Sequence, residues 1–132
     1  MHIDLSILIV NWNVCDLLRD CLCSVLTPMS FDADSLTWWL GARHVEILVV
    51  DNASGDGSAA MVRAEFPDVC LIACDANLGF VGGNNLALER ARGDYLLLLN
   101  PDAMVVGNAV EVLMSSMDAH PEVGIAGPLL LP

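Results

Sequence analysis

Three apolar runs in this sequence end in short side chains bearing amides or carboxylates. Residues 7–10 lead into Asn11 and Asn13, residues 47–50 into Asp51 and Asn52, and residues 95–99 into Asn100 and Asp102. A fourth segment, Asp75-Ala-Asn-Leu-Gly-Phe-Val-Gly-Gly-Asn-Asn85, is dense in glycine and asparagine. Taken singly, each is ordinary turn chemistry, because Asn, Asp and Gly are the residues with which a chain leaves a strand. Their coincidence favours a binding site. Asp102 is the sharpest case. Pro101 has no N–H for a strand ladder and biases Asn100 away from helix, so Asp102 falls just past a strand end. A carboxylate there suits a metal ion or a sugar hydroxyl.

These groups meet only if the strands that carry them run side by side in the same direction. Unbroken apolar stretches predict strands over residues 3–10, 45–50, 69–73, 95–99 and 123–126. Helical spacing predicts helices over residues 14–26, 58–66, 84–92 and 109–119. In the first helix Leu17, Leu18, Cys21, Leu22, Val25 and Leu26 form one apolar face. Asn13 caps it, Asp56 or Ser54 caps the second, Gly93 stops the third, and Asn108 caps the fourth. Strand and helix alternate, which predicts an α/β fold: a mostly parallel sheet with helices on both faces and right-handed crossovers. Ligands bind such sheets at the carboxyl ends of the strands. Residues 29–44 show no clean period. A short helix over residues 35–40, capped by Ser35, is expected there, with Trp38 and Trp39 packed on the core or, as the alternative, forming a docking surface for a partner.

Bulk properties narrow the function. The 132 residues make a single domain, 1–132, and with 55% hydrophobic and 17% charged residues the chain is not disordered. A net charge of −12 excludes a nucleic-acid partner, whose phosphates need Lys and Arg. It also means that a nucleoside diphosphate needs a cation beside it. Cys15, Cys21, Cys23, Cys70 and Cys74 lack paired zinc spacing and read as buried free thiols in a reducing compartment. His2, His44 and His120 are scattered and suggest no ligand set. The first ten residues carry no basic signal region, which points to the cytoplasm. There is no P-loop, no G-x-G-x-x-G after the first strand and no G-x-S-x-G elbow.

The ordered segments carry a resemblance. Ser6-Ile-Leu-Ile-Val-Asn-Trp-Asn13, Cys21-Leu-Cys-Ser-Val-Leu26, Ile47-Leu-Val-Val-Asp-Asn-Ala-Ser54, Asn77-Leu-Gly-Phe-Val-Gly-Gly-Asn-Asn85, Gly93-Asp-Tyr-Leu-Leu-Leu-Leu-Asn-Pro-Asp102 and His120-Pro-Glu-Val-Gly-Ile-Ala-Gly-Pro128 span nearly the whole chain. In that order they resemble the nucleotide-binding half of a family 2 glycosyltransferase of the GT-A, Rossmann-like fold, most similar to rhamnosyltransferase-like members.

The resemblance implies a role for each candidate residue. Asp51 accepts a hydrogen bond from the imide N–H of uracil or thymine. Asn11 and Asn13 line the base and ribose pocket. Asn77, Gly79 and Asn85 hold their loop against the nucleotide. Asp102 ligates Mg²⁺ or Mn²⁺, in a motif that reads Asn100-Pro101-Asp102 and so carries one charge fewer than D-x-D. The implied reaction moves a sugar from a dTDP- or UDP-linked donor to a hydroxyl of a glycan or lipid-linked acceptor, with inversion. It belongs to polysaccharide or cell-envelope glycan synthesis, in the cytoplasm or peripherally at the inner face of the membrane, and a homo-oligomer is compatible with it. The family's general base and acceptor half follow the metal motif, whereas only about thirty residues follow Asp102. The chain is therefore expected to be a truncated, donor-binding part. The alternative is a catalytically incomplete nucleotide-binding or interaction module of the same fold. A nucleotidyltransferase is disfavoured, because no Gly-rich loop bearing Arg or Lys follows the first strand.

Overall fold

The computed structural model describes residues 1–128. Its elements in chain order are β1 (Leu5–Asn11), α1 (Cys15–Leu26), β2 (Ser30–Asp32), β3 (Thr37–Leu40), β4 (Arg43–Asp51), α2 (Ser58–Glu65), β5 (Cys70–Ala73), α3 (Gly79–Arg90), β6 (Tyr95–Leu98) and α4 (Ala109–Ala119). The strands form one sheet in the order β2-β3-β4-β1-β6, and β5 also pairs with β4. β1, β4, β5 and β6 are mutually parallel, while β2 and β3 join antiparallel. The α/β class and the mostly parallel sheet are as expected.

β1 and β4 are buried almost throughout, which is why neither alternates in sequence. Ile7 and Ile9 of β1 face a core completed by Leu18 and Leu22 of α1, Met61 of α2 and Met114 of α4. Leu8, Leu48 and Val50 face the other way and are covered by Ala87 of α3. Helices thus lie on both faces, three on one and one on the other. Leu17, expected on the apolar side of α1, is instead 47% exposed.

The expected helix over residues 35–40 is a β-hairpin. Asp32 Oδ1 accepts from the N–H groups of Asp34 and Ser35, which turns β2 back into β3. Gly41, at φ 60°, makes the tight turn from β3 into β4. Cross-strand pairs hold the ribbon. Phe31 and Trp38 pack tilted at 5.3 Å, and Trp39 stacks on His44 at 4.4 Å. Trp38 joins the core, whereas Trp39 stays partly exposed. The nine residues of β4 make room for two neighbours on one side: β3 pairs from Val45 backwards and β5 from Leu48 onwards.

Three further expectations are corrected. Residues 123–126 form no strand, and Ile125 is exposed. α3 begins at Gly79, five residues before the expected start, and ends at Arg90. Gly93 therefore does not stop that helix. A Cβ there would lie 2.5 Å from the backbone nitrogen of Ser6, so glycine is needed for close approach to β1. Among the five cysteines only Cys21 is buried, and Cys23 and Cys70 are exposed.

Candidate functional site

The parallel register brings Asn11 and Asp51 together as partners on the last rung of β1 and β4. Asn11 Nδ2 donates to Asp51 Oδ1 at 3.0 Å. Both residues are buried. The amide must turn its NH₂ toward the carboxylate, because the reverse would set two acceptors face to face. Asn11 Oδ1 is thereby left buried with no partner. Asp51 is held further by Ser54, whose hydroxyl donates to Oδ1 at 2.7 Å and whose N–H donates to Oδ2 at 3.1 Å.

The loops around this pair are shaped by side chains. Asn13 sits at φ 54°, a left-handed conformation that asparagine tolerates. Its N–H donates to Ser54 Oγ and its Oδ1 accepts from the Gly55 N–H. Asn13 therefore ties β1's exit to the loop after β4 and does not cap α1. The α1 amino terminus is instead met from that loop, where Asp56 Oδ2 accepts from the Cys15 N–H at 2.9 Å. Asp56 Oδ1 accepts from the Ser58 N–H and hydroxyl at the start of α2. These bonds, the Ser58 hydroxyl first, hold the Asp56 carboxyl below its ordinary range. Ala53, at φ 60°, is a non-glycine in the same left-handed region, a strain that the flanking Asp51–Ser54 bonds hold in place. Asn108 precedes α4 but makes no side-chain cap.

The glycine-asparagine segment is latched by Asn52. Its Oδ1 accepts from the Leu78 N–H at 3.2 Å and its Nδ2 donates to the Gly79 carbonyl at 3.0 Å. Asn77 Oδ1 accepts from the Gly79 N–H, and Gly79 takes φ 75°. Asn85 is exposed and lies on α3 rather than in a loop. Gly83 lets α3 approach the sheet: a Cβ there would come 2.6 Å from Val10 Cγ1.

Asp102 lies in the turn after β6, exposed, on the same carboxyl edge. The Asn100 carbonyl accepts from the Ala103 N–H. Burial, and secondarily the nearby Asp102 charge, push the Cys21 thiol up to about 11. Among the described residues, no ion pair involves Asp51 or Asp102; Arg19, Arg43 and Arg92 are paired elsewhere. The structure thus gathers Asn11, Asn13 and Asp51 into one network, places Asn77 and Gly79 against it through Asn52, and sets Asp102 and Asn85 on neighbouring elements. The sequence reasoning missed Ser54 and Asn52 as positioning groups, and Trp12, which is 56% exposed between Asn11 and Asn13. A large aromatic left outside the core at a strand's carboxyl end was the available signal for Trp12.

The sequence model described as "Glycosyl transferase family 2" matches residues 6–130. The chain belongs to this family. An N-acetylglucosaminyl-diphospho-decaprenol L-rhamnosyltransferase of Mycobacterium tuberculosis is 26% identical over 99 residues, covering 67% of this chain and 32% of that protein. The succinoglycan biosynthesis protein ExoO of Rhizobium meliloti is 37% identical over 76 residues, 57% of this chain and 22% of that protein. The chain thus spans a third or less of the length of these curated relatives. In fold, this family 2 member matches the mannosyltransferase PcManGT of Pyrobaculum calidifontis, solved with GDP-Man and Mn²⁺, at TM-score 0.72 and 24% identity over 94% of this chain and 34% of the other. It matches S. aureus TarS 1-349 in complex with UDP at TM-score 0.70 and 20% identity, over 90% of this chain and 33% of the other. These likenesses show the GT-A glycosyltransferase fold. Among the described residues no helix is long and apolar enough to cross a membrane.

Proposed function

We propose that residues 1–132 form one donor-binding domain of a glycosyltransferase that takes a UDP- or dTDP-linked sugar and transfers it with inversion to a hydroxyl of a glycan or lipid-linked acceptor. The carrying observation is the Asn11–Asp51 pair on the last rung of β1 and β4, in which the Asn11 amide and Ser54 hold the Asp51 carboxylate in place. A carboxylate fixed in this way suits a ligand with a hydrogen to give, and the imide N–H of uracil or thymine is such a donor. Asp51 Oδ2 has only the Ser54 N–H, and a carboxylate oxygen accepts more than one bond. Trp12 offers an exposed π-face on which the base can stack. Asn13 frames the ribose side, while Asn77 in the loop before α3 and Gly79 and Asn85 on α3 border the nucleotide.

The acidic rim raises the question of the diphosphate. Asp102 is exposed and free of ion pairs among the described residues, and it supplies hard oxygen, as does the Asn100 amide. That donor set fits Mg²⁺ or Mn²⁺ when water and diphosphate oxygens complete the shell. A bound ion of this kind offsets charge on the departing diphosphate. The chain's own residues bind and orient the donor. On this reading the general base and the acceptor site lie in sequence with no counterpart in these residues. A cell-envelope role at the inner face of the membrane is in keeping with the decaprenol-linked substrate in the mycobacterial relative's name.

Calorimetry with UDP and dTDP, with and without Mn²⁺, tests the proposal. Binding should strengthen with Mn²⁺, and Asp102→Ala should remove the metal-dependent gain alone. Asp51→Ala should weaken binding even without metal. Absence of any binding at millimolar nucleotide would replace this reading with that of an interaction module of the same fold.

A further inference from the structure

At the opposite end of the sheet, His2, Asp4 and Asp94 point their ligand atoms at one place. His2 Nε2 lies 2.9 Å from Asp94 Oδ2 and 3.3 Å from Asp4 Oδ1, and the three atoms all fall within 4.8 Å of one another. Both carboxylates approach the same ring nitrogen. That nitrogen carries at most one proton, which can be directed well at only one acceptor. A divalent ion seated among the three atoms satisfies both carboxylates and the imidazole lone pair together.

The groups are held in position before any ion arrives. The Asp4 N–H donates to the His44 carbonyl, the Asp94 N–H to the Ile3 carbonyl, and the Tyr95 N–H to the Asp4 carbonyl. Both acids therefore stand on sheet-bonded backbone. Asp4 Oδ2 accepts from the His44 N–H at 2.7 Å, which sets the carboxylate's rotation and turns Oδ1 toward the imidazole. The His2 carbonyl faces His44 Nδ1 at 2.9 Å, which fixes the backbone of the third donor. Among the described residues no arginine pairs with Asp4 or Asp94, although Asp16, Glu46, Glu65 and Asp118 each have one. The side chains of His2 and Asp94 are 68% and 64% exposed, leaving open positions for water and a path for entry.

We propose that His2, Asp4 and Asp94 form a second metal site for a first-row divalent transition ion, Zn²⁺ or Co²⁺ in class. One imidazole with two carboxylates is the donor set of such ions rather than of Mg²⁺ or Ca²⁺, which favour oxygen alone. The site joins the residues leading into β1 to those leading into β6, the last strand of the sheet among the described residues, and it lies roughly 20 Å from the candidate nucleotide rim, the length of a seven-residue strand. Its role is to staple β6 to the sheet, independently of the donor site.

The test is a Co²⁺ titration of the whole chain without nucleotide, read by calorimetry, visible absorption and the unfolding temperature. One equivalent should bind and raise the unfolding temperature. His2→Ala and Asp94→Asn should each weaken binding by about tenfold or more, and Asp102→Ala should leave it intact. Both substituted side chains are largely exposed, so each variant is expected to fold, and its metal-free unfolding temperature verifies this. Three results overturn the proposal. One is unchanged affinity in both variants. Another is an intense near-ultraviolet thiolate band, which assigns the ion to a cysteine. The third is binding lost in His2→Ala but kept in Asp94→Asn, which assigns it to His2 and the amino terminus without the acids.

Discussion

Asn11 and Asp51 close the β1–β4 ladder as direct partners, with the Asn11 amide donating to the Asp51 carboxylate at 3.0 Å deep in the protein. An amide N–H facing a carboxylate is a pairing without repulsion. Asn11→Asp puts two buried carboxylates face to face, and like charges this close cannot both ionise. We expect a loss of about 3 kcal/mol near pH 7, measured by urea unfolding.

Asn52 joins β4 to the start of α3 through two bonds, and its removal separates loop order from fold stability. Asn52→Ala leaves the Leu78 N–H and Gly79 carbonyl without those partners, at a cost of about 1–3 kcal/mol. Amide exchange at Leu78 should accelerate far more than exchange in the centre of β1. UDP affinity should fall in the same variant.

Two glycines separate backbone crowding from side-chain crowding. A Cβ at Gly93 meets backbone atoms of Leu5 and Ser6, while a Cβ at Gly83 meets the ends of Val10 and Asn52. The Val10 methyls and the latched Asn52 amide can yield only slightly, and the strand backbone at Ser6 yields less still. Gly83→Ala should therefore cost about 1–3 kcal/mol. Gly93→Ala should cost more, and thermal unfolding of the pair should rank them in that order.

Asp56 makes the loop after β4 sensitive to acid. Its carboxyl is held below the usual range, so its contribution is complete above the unfolded value near ~4 and is lost as pH falls through the lower folded value. Asp56→Asn removes the titration. Its stability should change less than that of the parent below about pH 4, as followed by unfolding midpoints across the acid range.

What the sequence revealed follows from these same interactions. β1 and β4 were legible because strands buried on both faces are continuously apolar. Asp51, Asn11 and Asn13 stood out because polar residues there interrupt such runs. The β2–β3 hairpin was hidden by its length: with three and four residues, Ser30–Asp32 and Thr37–Leu40 are too short to display alternation. Its turns rest on Asp32 side-chain bonds and Gly41, not on an Asn-Gly pair. The early start of α3 runs against the low helix propensity of Gly79, Gly82 and Gly83, and tertiary bonds from Asn52 accompany it. Ser54 and Asn52 act on other side chains and loops, which a linear reading does not display. Residues 123–126 are apolar enough for a strand but find no partner strand among the described residues.

Among the described residues no strand pairs with β6 on the side away from β1, and Leu96 and Leu98 stand 47% and 58% exposed on it. An unpaired strand edge flanked by leucines is a template on which another chain can add. The net charge of −12 opposes that encounter, and salt screens it, the Debye length shrinking from about 10 Å at 0.1 M to about 3 Å at 1 M. Light scattering across a salt series should therefore find the chain dispersed in dilute buffer and associating edge to edge in concentrated salt.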